Sequence, residues 1–306
     1  MSAVPPISVC VATYRRTDRL SLLLDDLTRQ SHLPGELVVV DNDADGSARS
    51  VVERRLQLGA PFPIRYAVQP LKNISLTRNK TVELAGGTWV AFIDDDERAP
   101  VEWLGQLMAA AATFQADGVL GPVIPIIPAT AAPWIRRGRF YDFPRMPTGE
   151  IIPPNRLRFG NVLLHSAWLK RVPGPFDPAY GLTGGEDGDF LSRIALLGAR
   201  LRWCDEAIVN EPVEASRLSL RWLLRRALSG GQDFAKHSLE GRYGPMSRLA
   251  RIRFLLRATL QALTAAVLTV LCLPFGRHHA ARWLTTASAN LGKVSVYWGW
   301  RYREYA

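Results

Sequence analysis

The feature that most constrains the fold of this chain is the regular alternation of short β-prone runs with helical segments in its first third. The β-prone runs cover positions 7–12, 36–40, 64–68 and 89–93, and segments with apolar residues at helical spacing cover 19–30, 51–58 and 76–84. Strands that alternate with helices form a mostly parallel sheet with helices on both faces. We therefore predict an α/β, Rossmann-like fold for this part of the chain.

Polar side chains follow three of these runs. Thr13, Asp41 and Asp94 each stand directly after a predicted strand. Right-handed crossovers place the carboxyl ends of parallel strands at one edge of the sheet, and open α/β sheets bind ligands beyond that edge. We expect the three side chains to converge on one site.

An acidic cluster, Asp-Asp-Asp-Glu, occupies residues 94–97. Carboxylates this close repel one another, and a hard divalent cation relieves that repulsion by taking oxygen ligands from them and from substrate phosphates. The cluster therefore predicts a metal–diphosphate site, with a solvated acidic turn as the alternative.

A second cluster, Gly-Gly-Glu-Asp-Gly-Asp, occupies residues 184–189 and opens a predicted helix over 186–197. Acids at a helix start also serve as simple caps that suit the helix dipole. Together, however, the two clusters supply what sugar transfer to a hydroxyl needs. One provides a cation for the leaving nucleoside diphosphate, and the other provides a base for the acceptor proton.

At this point the sequence resembles the family-2 glycosyltransferases, which have the GT-A fold. The motifs that carry the resemblance lie, in the family's order, at residues 8–16, 36–42, 73–80, 85–97, 160–161, 176–177 and 185–198. As a set they cover residues 7–215, and residues 94–96 correspond to the DxD motif. The resemblance implies an inverting, metal-dependent hexosyltransferase or N-acetylhexosaminyltransferase.

The resemblance also implies roles for individual residues on the donor side. The nucleotide-sugar-binding set would be Thr13, Tyr14, Arg15, Asp41, Arg78, Asp94 and Asp95. In it, Asp41 would bind the N3–H of uracil, Arg78 would lie near the base or diphosphate, and Asp94 would contact the ribose. Asp96 would bind Mn²⁺ or Mg²⁺. The donor would then be a nucleotide-sugar, with UDP as the expected nucleotide.

On the acceptor side, the resemblance makes Asp187 the general base and places Glu186 and Asn161 beside the acceptor. Trp134 lies in a proline-rich excursion, residues 128–154, which is either a surface excursion or an acceptor-binding loop. Many family members carry a histidine that reaches the metal after the last strand. This chain has Glu211 near that place, as a metal ligand or a structural acid. The QxxRW signature of processive synthases is absent, which predicts transfer of a single sugar.

The C-terminal region differs sharply in charge from the rest. Residues 216–306 contain 15 of the 38 Lys and Arg residues but only three of the 28 acids. Such an asymmetry indicates a basic region that meets an anionic partner. We predict a catalytic domain over residues 1–215, with a nucleotide-sugar half over about 1–115 and an acceptor half over 116–215. A basic helical region over 216–306 would follow it.

Residues 258–276 carry no charge, and basic residues flank them on both sides. A single membrane span would place one basic flank outside, against the positive-inside tendency. We therefore expect a re-entrant or interfacial hairpin over about residues 251–302, with a buried pair of core helices as the alternative.

Compartment and competing functions follow from the same observations. The N-terminus lacks a secretory signal pattern, and the three cysteines have no metal or disulfide spacing. We predict an enzyme at the cytoplasmic face of the inner membrane that transfers sugar to a lipid-linked or membrane-proximal glycan in surface or extracellular polysaccharide biosynthesis. The alternatives are a sugar nucleotidyltransferase and a basic, non-enzymatic protein that binds nucleic acid or membranes. The uncharged run argues against nucleic acid as a partner.

Overall fold

The computed structural model describes residues 6–302 and shows an α/β sheet domain together with a helical C-terminal region. The strands are β1 (Ile7–Thr13), β2 (Glu36–Asp41), β3 (Ile64–Val68), β4 (Trp89–Ile93), β5 (Gly118–Leu120), β6 (Val123–Ile126), β7 (Asn161–His165), β8 (Leu201–Trp203) and β9 (Val209–Pro212). The α-helices are α1 (Thr17–Leu27), α2 (Arg49–Gln57), α3 (Ile74–Leu84), α4 (Trp103–Thr113), α5 (Pro133–Gly138), α6 (Ser166–Arg171), α7 (Glu186–Leu196), α8 (Leu220–Leu239), α9 (Arg248–Leu271) and α10 (Arg277–Ser295).

The main sheet has seven strands in the order β3-β2-β1-β4-β7-β5-β8. Every neighbouring pair is parallel except the two that involve β7, which runs antiparallel to β4 and β5. The mostly parallel sheet predicted from the sequence is thus confirmed. Because β2 and β3 lie on one side of β1 and β4 lies on the other, the strand order reverses between β1 and β4. That reversal opens a crevice at the carboxyl ends of these two strands.

Alternation along the strands builds an apolar core on each face of the sheet. In β1, Val9 and Val11 point into a core that α1 and α4 cover, whereas Cys10 points into the opposite core with Phe176 and Phe190. All five of these side chains are essentially inaccessible to water. Both faces of the sheet are thus covered by apolar side chains.

The chain after α4 forms two short strands in different sheets. Gly121 and Pro122 separate β5, in the main sheet, from β6, which pairs with β9 in a two-stranded sheet. The proline-rich excursion contains a short helix, α5, because Pro133 at its first position starts a helical turn.

The chain forms two compact units in space. One consists of residues up to Ile124, Phe143–Leu182 and Glu186–Glu211; the other consists of Pro125–Asp142, Thr183–Gly185 and the residues from Pro212 onwards. The first contains the whole seven-stranded sheet. The second contains α5 and the three long helices α8, α9 and α10, so the segment 125–142 groups with the basic C-terminal region. The end of the catalytic domain at residue 215 remains a prediction from the sequence.

Within the second unit, α9 packs on α10 through small residues and exposes most of its other surface. Only Ala258, Ala262 and Ala265 of α9 are buried. Its exposed apolar side chains, each more than half accessible, are Leu249, Ile252, Leu256, Leu260, Leu263, Val267, Val270 and Leu271. We call these eight residues the α9 stripe. By length and composition alone, α9 is also long and apolar enough to cross a membrane.

Candidate active site

The crevice between β1 and β4 is bridged by polar contacts from the ends of both strands. Thr13 Oγ1, at the end of β1, donates to Asp95 Oδ2 across 2.7 Å. Arg16, just before α1, places Nη1 2.8 Å from Asp95 Oδ1 and 3.1 Å from Asp96 Oδ2. The predicted convergence of Thr13 with the acidic cluster is therefore present in the structure.

A buried arginine joins the two acidic clusters. Arg78 Nη1 of α3 lies 2.5 Å from Glu186 Oε1 of α7, and Arg78 Nη2 lies 3.2 Å from Asp94 Oδ1. The guanidinium also stacks over the Phe159 ring, 4.9 Å from its centroid. Since Arg78 and Glu186 are both buried, this ion pair holds the start of α7 against the end of β4.

Asp187, the predicted base, is the most accessible of the three acids in its cluster. Its Oδ2 accepts a hydrogen bond of 3.0 Å from the Phe159 backbone N–H, and its Oδ1 accepts one of 2.7 Å from Gly188 N–H. Glu186 and Asp189 on either side are buried, while Asp187 is only partly buried. The two backbone donors orient this carboxylate, which is partly accessible to solvent.

The backbone at the start of α7 explains the glycines in the second cluster. Gly184 and Gly185 have φ of 78° and 93°, in the left-handed region that favours glycine. Two such residues in succession turn the chain sharply before Glu186. The turn therefore sets the direction in which the acids of the first helical turn leave the backbone.

The acids around β4 share one electrostatic environment. Burial raises the pKa of Asp95 to about 6, with Arg16 opposing the shift and Asp96 adding to it. Burial also raises the pKa of Glu97 well above its usual value, and the charges of Asp94, Asp96 and Glu211 raise it further. Asp94, whose side chain is 44% exposed, also has a raised pKa, which partial loss of water and the charges of Asp96 and Asp187 favour and Arg78 opposes.

The charges of Asp96, Glu211 and Asp187 contribute to these pKa shifts, so all three carboxylates lie near the end of β4. The region carries an excess of negative charge. Its carboxylate oxygens are the donor type that Mn²⁺ and Mg²⁺ prefer. Within residues 6–302, no three or more His, Cys, Asp and Glu side chains are grouped as a metal site. A cation here would therefore rely on one or two carboxylates and on substrate phosphates, as Mg²⁺ sites commonly do. The residues present fit such an ion, and Asp96 and Glu211 stay predicted ligands.

On the nucleotide side, Tyr14 lies between two cations. The Arg15 guanidinium is 5.3 Å from the Tyr14 ring centroid, and Lys72 Nζ is 5.0 Å from it. Arg15 also pairs with Asp43, 3.0 Å between Nε and Oδ2, and this hydrogen bond lowers the pKa of Asp43. Arg15 has φ of 53°, so the loop after β1 turns through a left-handed residue.

Asp41 lies at the end of β2, in register with Thr13, but its carboxylate is already occupied. Oδ1 accepts from Asp43 N–H at 2.9 Å, and Oδ2 accepts from Ala48 N–H at 2.7 Å and from the Tyr66 hydroxyl at 3.1 Å. The side chain is completely buried. Asp41 thus shapes the turn after β2, and contact with a base stays a prediction.

Asn161 and Trp134, predicted for the acceptor side, have structural neighbours of their own. Asn161 Oδ1 accepts from Trp103 Nε1 at 2.8 Å, and its Nδ2 donates to the carbonyls of Pro122 and Ala207 at 3.1 and 2.6 Å. Both ends of the buried Asn161 amide are hydrogen-bonded, so this side chain stabilises the region where β4 and β5 end. Trp134 lies on α5 in the second unit and packs edge-on against Phe140. Their acceptor roles stay predictions.

Two arginines of the site, Arg16 and Arg19, have no role among those predicted from the sequence. Arg16 bridges Asp95 and Asp96, and Arg19 Nη1 lies 3.9 Å from Asp96 Oδ2. The sequence contains three arginines between positions 15 and 19. Nothing local distinguishes the one that faces Asp43 from those that face the acidic cluster, since their partners lie 28 and about 80 residues away.

The fold and the crevice together define a glycosyltransferase of the GT-A class. The sequence model described as "Glycosyl transferase family 2" matches residues 8–166, more than half of the chain. The succinoglycan biosynthesis protein ExoM of Rhizobium meliloti (strain 1021) is 36% identical over 246 residues, which are 78% of this chain and 77% of ExoM. The chain therefore belongs to glycosyl transferase family 2, as its motifs predict.

Other similarities extend this relationship. The galactofuranosyltransferase GlfT1 of Mycobacterium tuberculosis is 32% identical over 181 residues, 54% of this chain and 57% of GlfT1. Among solved structures, the mannosyltransferase PcManGT from Pyrobaculum calidifontis, in complex with GDP-Man and Mn²⁺, superposes with a TM-score of 0.66 at 18% identity, covering 96% of this chain and 88% of PcManGT. TarS 1-349 from S. aureus in complex with UDP-GlcNAc gives a TM-score of 0.55 at 19% identity, covering 97% and 93%. At such low identity these structures establish the shared fold.

Proposed function

We infer that this protein is an inverting, metal-dependent glycosyltransferase that moves one sugar from a nucleotide-sugar, with UDP as the expected nucleotide, to a membrane-proximal glycan. The observation that carries the proposal is the arrangement around Arg78. This side chain ties Asp94, at the end of β4, to Glu186, at the start of α7. The donor-side acids and Asp187 are thereby held in one cleft, as displacement at a sugar carbon requires.

Asp187 serves as the general base in this proposal. Its two backbone hydrogen bonds, from Phe159 and Gly188, fix the carboxylate plane. An acceptor hydroxyl that approaches its accessible side transfers a proton to it as the sugar bond forms. Glu186 acts through its ion pair with Arg78 and keeps the start of α7 in place.

Asp96, with Glu211 as the second candidate ligand, would hold Mn²⁺ or Mg²⁺ in the same cleft. When bound, such an ion stabilises the negative charge that develops on the leaving diphosphate. Support comes from the excess of buried carboxylates here and from the Mn²⁺ that accompanies GDP-Man in the PcManGT structure. The neighbours bind both GDP-Man and UDP-GlcNAc, so the choice of UDP rests on the sequence resemblance.

We propose that this reaction belongs to polysaccharide biosynthesis. ExoM is named for succinoglycan biosynthesis and GlfT1 for galactofuranosyl transfer, and both names are consistent with a growing glycan as the acceptor. The absence of the QxxRW signature favours a single addition for each acceptor molecule. Trp134 and Asn161 remain the acceptor-side candidates that the sequence offers.

The α9 stripe supports a position at a membrane surface, and the cytoplasmic face is the one that the sequence predicts. Its eight residues follow helical spacing of three and four along about 30 Å of the helix, and the three buried alanines lie on the opposite face. The packing of α9 on α10 leaves one apolar face uncovered, and the basic residues on both sides of the uncharged run disfavour a single span. Arg253 and Arg257 are exposed beside the stripe, where anionic headgroups would lie. We therefore place α9 in the plane of the membrane.

Turnover of sugar nucleotides tests the proposed reaction. Purified full-length protein would be incubated with UDP- and GDP-sugars, Mn²⁺ and membrane lipid extract, and the products would be identified by mass spectrometry. Asp187→Asn should lower kcat by about 10²–10⁴-fold without weakening donor binding. Asp25→Asn is the matched control, because the same change at Asp25 removes only an ion pair with Arg55 between α1 and α2, outside the family motifs.

The same experiment separates the competing functions. Release of a nucleoside diphosphate supports sugar transfer, whereas release of pyrophosphate would identify a nucleotidyltransferase. Full turnover by Asp187→Asn would refute the assignment of the base. Flotation with vesicles of phosphatidylcholine, with and without phosphatidylglycerol, tests the membrane position. Binding to neither kind of vesicle would refute it.

A further inference from the structure

The charged groups in the crevice between β1 and β4 are arranged around one guanidinium nitrogen. Arg16 Nη1 contacts Asp95 Oδ1 at 2.8 Å and Asp96 Oδ2 at 3.1 Å. The Asp95 and Asp96 side chains are 4% and 6% exposed, whereas that of Arg16 is 35% exposed. The arginine therefore covers the acidic pair from the side that faces water.

The two sides of this contact differ in their freedom to move. Asp95 is held at its second oxygen by Thr13, 2.7 Å away, and it follows a strand in the middle of the sheet. Arg16 precedes the first residue of α1 and reaches the pair through a long side chain. When a further charge enters the crevice, Arg16 is the group that can yield.

We propose that Arg16 neutralises Asp96 in the metal-free protein, competes with the divalent cation for that carboxylate, and thereby couples metal binding to donor binding. This inference rests on the proposed role of Asp96 as the metal ligand. A cation on Asp96 repels the guanidinium, and a diphosphate attracts it, since planar guanidinium groups bind phosphate oxygens well. The donor diphosphate therefore draws Arg16 away from Asp96 and strengthens metal binding.

Reciprocity makes this coupling measurable. If the diphosphate raises the affinity for the cation, the cation must raise the affinity for the diphosphate by the same factor. Without Arg16, Asp96 loses its contact with a cation at 3.1 Å, so the affinity for Mn²⁺ without nucleotide rises and the coupling decreases. Arg19 lies farther from Asp96, at 3.9 Å, and should contribute less.

The experiment is a Mn²⁺ titration of the full-length protein, with free Mn²⁺ followed by electron paramagnetic resonance, with and without UDP. Arg16→Gln should bind Mn²⁺ about tenfold more tightly than wild type in the absence of UDP, and UDP should strengthen its binding less than in wild type. Arg16→Lys keeps the charge and should bind Mn²⁺ with nearly wild-type affinity in the absence of UDP. Arg65→Gln is the matched control, because Arg65 pairs with Glu36 at 2.9 Å away from the crevice.

Unchanged or weaker Mn²⁺ binding by a folded Arg16→Gln protein without UDP would overturn the inference. If that variant fails to fold, Arg16→Met is measured in its place under the same criterion. Equal Mn²⁺ binding by wild type and Asp96→Asn would refute the proposed metal site itself. Loss of binding in Asp96→Asn with no change in the Arg16 variants would refute the competition alone.

Discussion

The two compact units of this protein differ in which charged and apolar side chains they bury and which they expose. The sheet unit buries carboxylates, including Asp95, Asp96, Glu97 and Glu186, and sets arginines against several of them. The helical unit carries most of its arginines at the surface and leaves a row of leucines and valines exposed on α9. Buried charge is costly, and its concentration around one crevice indicates a functional site. Exposed apolar surface of this extent indicates a partner.

This contrast predicts which arginines matter for folding. Arg78→Met removes the cation from buried Glu186, and breaking such a pair should lower the free energy of unfolding by about 3–5 kcal/mol. Urea denaturation measures the change. Arg225→Met, at an exposed position of α8, should change it by less than about 0.5 kcal/mol. Similar effects of the two substitutions would contradict the contrast.

The α9 stripe gives the next largest expected effect. Leu260→Glu should weaken binding to anionic vesicles by about 30-fold, since burial of a leucine side chain contributes about 2 kcal/mol, and should leave the unfolding free energy nearly unchanged. Flotation at several lipid concentrations measures it. Leu58→Glu is matched in exposure, 65% against 66%, but lies in the sheet unit and should bind like wild type. Equal binding by both variants would show that α9 does not meet lipid.

The buried Glu97 predicts a pH dependence of stability. Because its pKa in the folded protein is well above its unfolded value, the folded state holds a proton that the unfolded state releases. Stability is therefore lost as pH rises between the two values, by at most about 1.4 kcal/mol per pH unit. In EDTA, Glu97→Gln should gain stability relative to wild type as pH rises from 5 to 9. A difference that is constant with pH would contradict the shift.

The smallest expected effect concerns Arg257, beside the stripe. Arg257→Gln should reduce binding to anionic vesicles about fivefold, in line with roughly 1 kcal/mol per basic residue at such a surface. The difference from wild type should disappear at high salt, because screening removes the headgroup attraction. A loss that persists in high salt would point to a packing role for this side chain.

Much of the site was readable from the sequence because strand ends and acidic clusters are local patterns. Thr13 and the acids at 94–97 meet across β1 and β4, since parallel strands bring their carboxyl ends together. The partners of Glu186 and Asp95 were not readable. Arg78 lies 108 residues from Glu186 and Arg16 lies 79 residues from Asp95, and no local pattern connects such positions.

The sequence by itself determined the alternation that makes the α/β sheet, the order of the two acidic clusters, and the uncharged run in a basic region. These properties depend on residue type and spacing, which local physical chemistry interprets directly. Only the tertiary structure decided that β7 enters the sheet antiparallel, that the Asp41 carboxylate bonds to its own turn, and that α9 turns its leucines outward. Those outcomes depend on which distant surfaces pack together, because packing determines which groups lose water and which groups find partners.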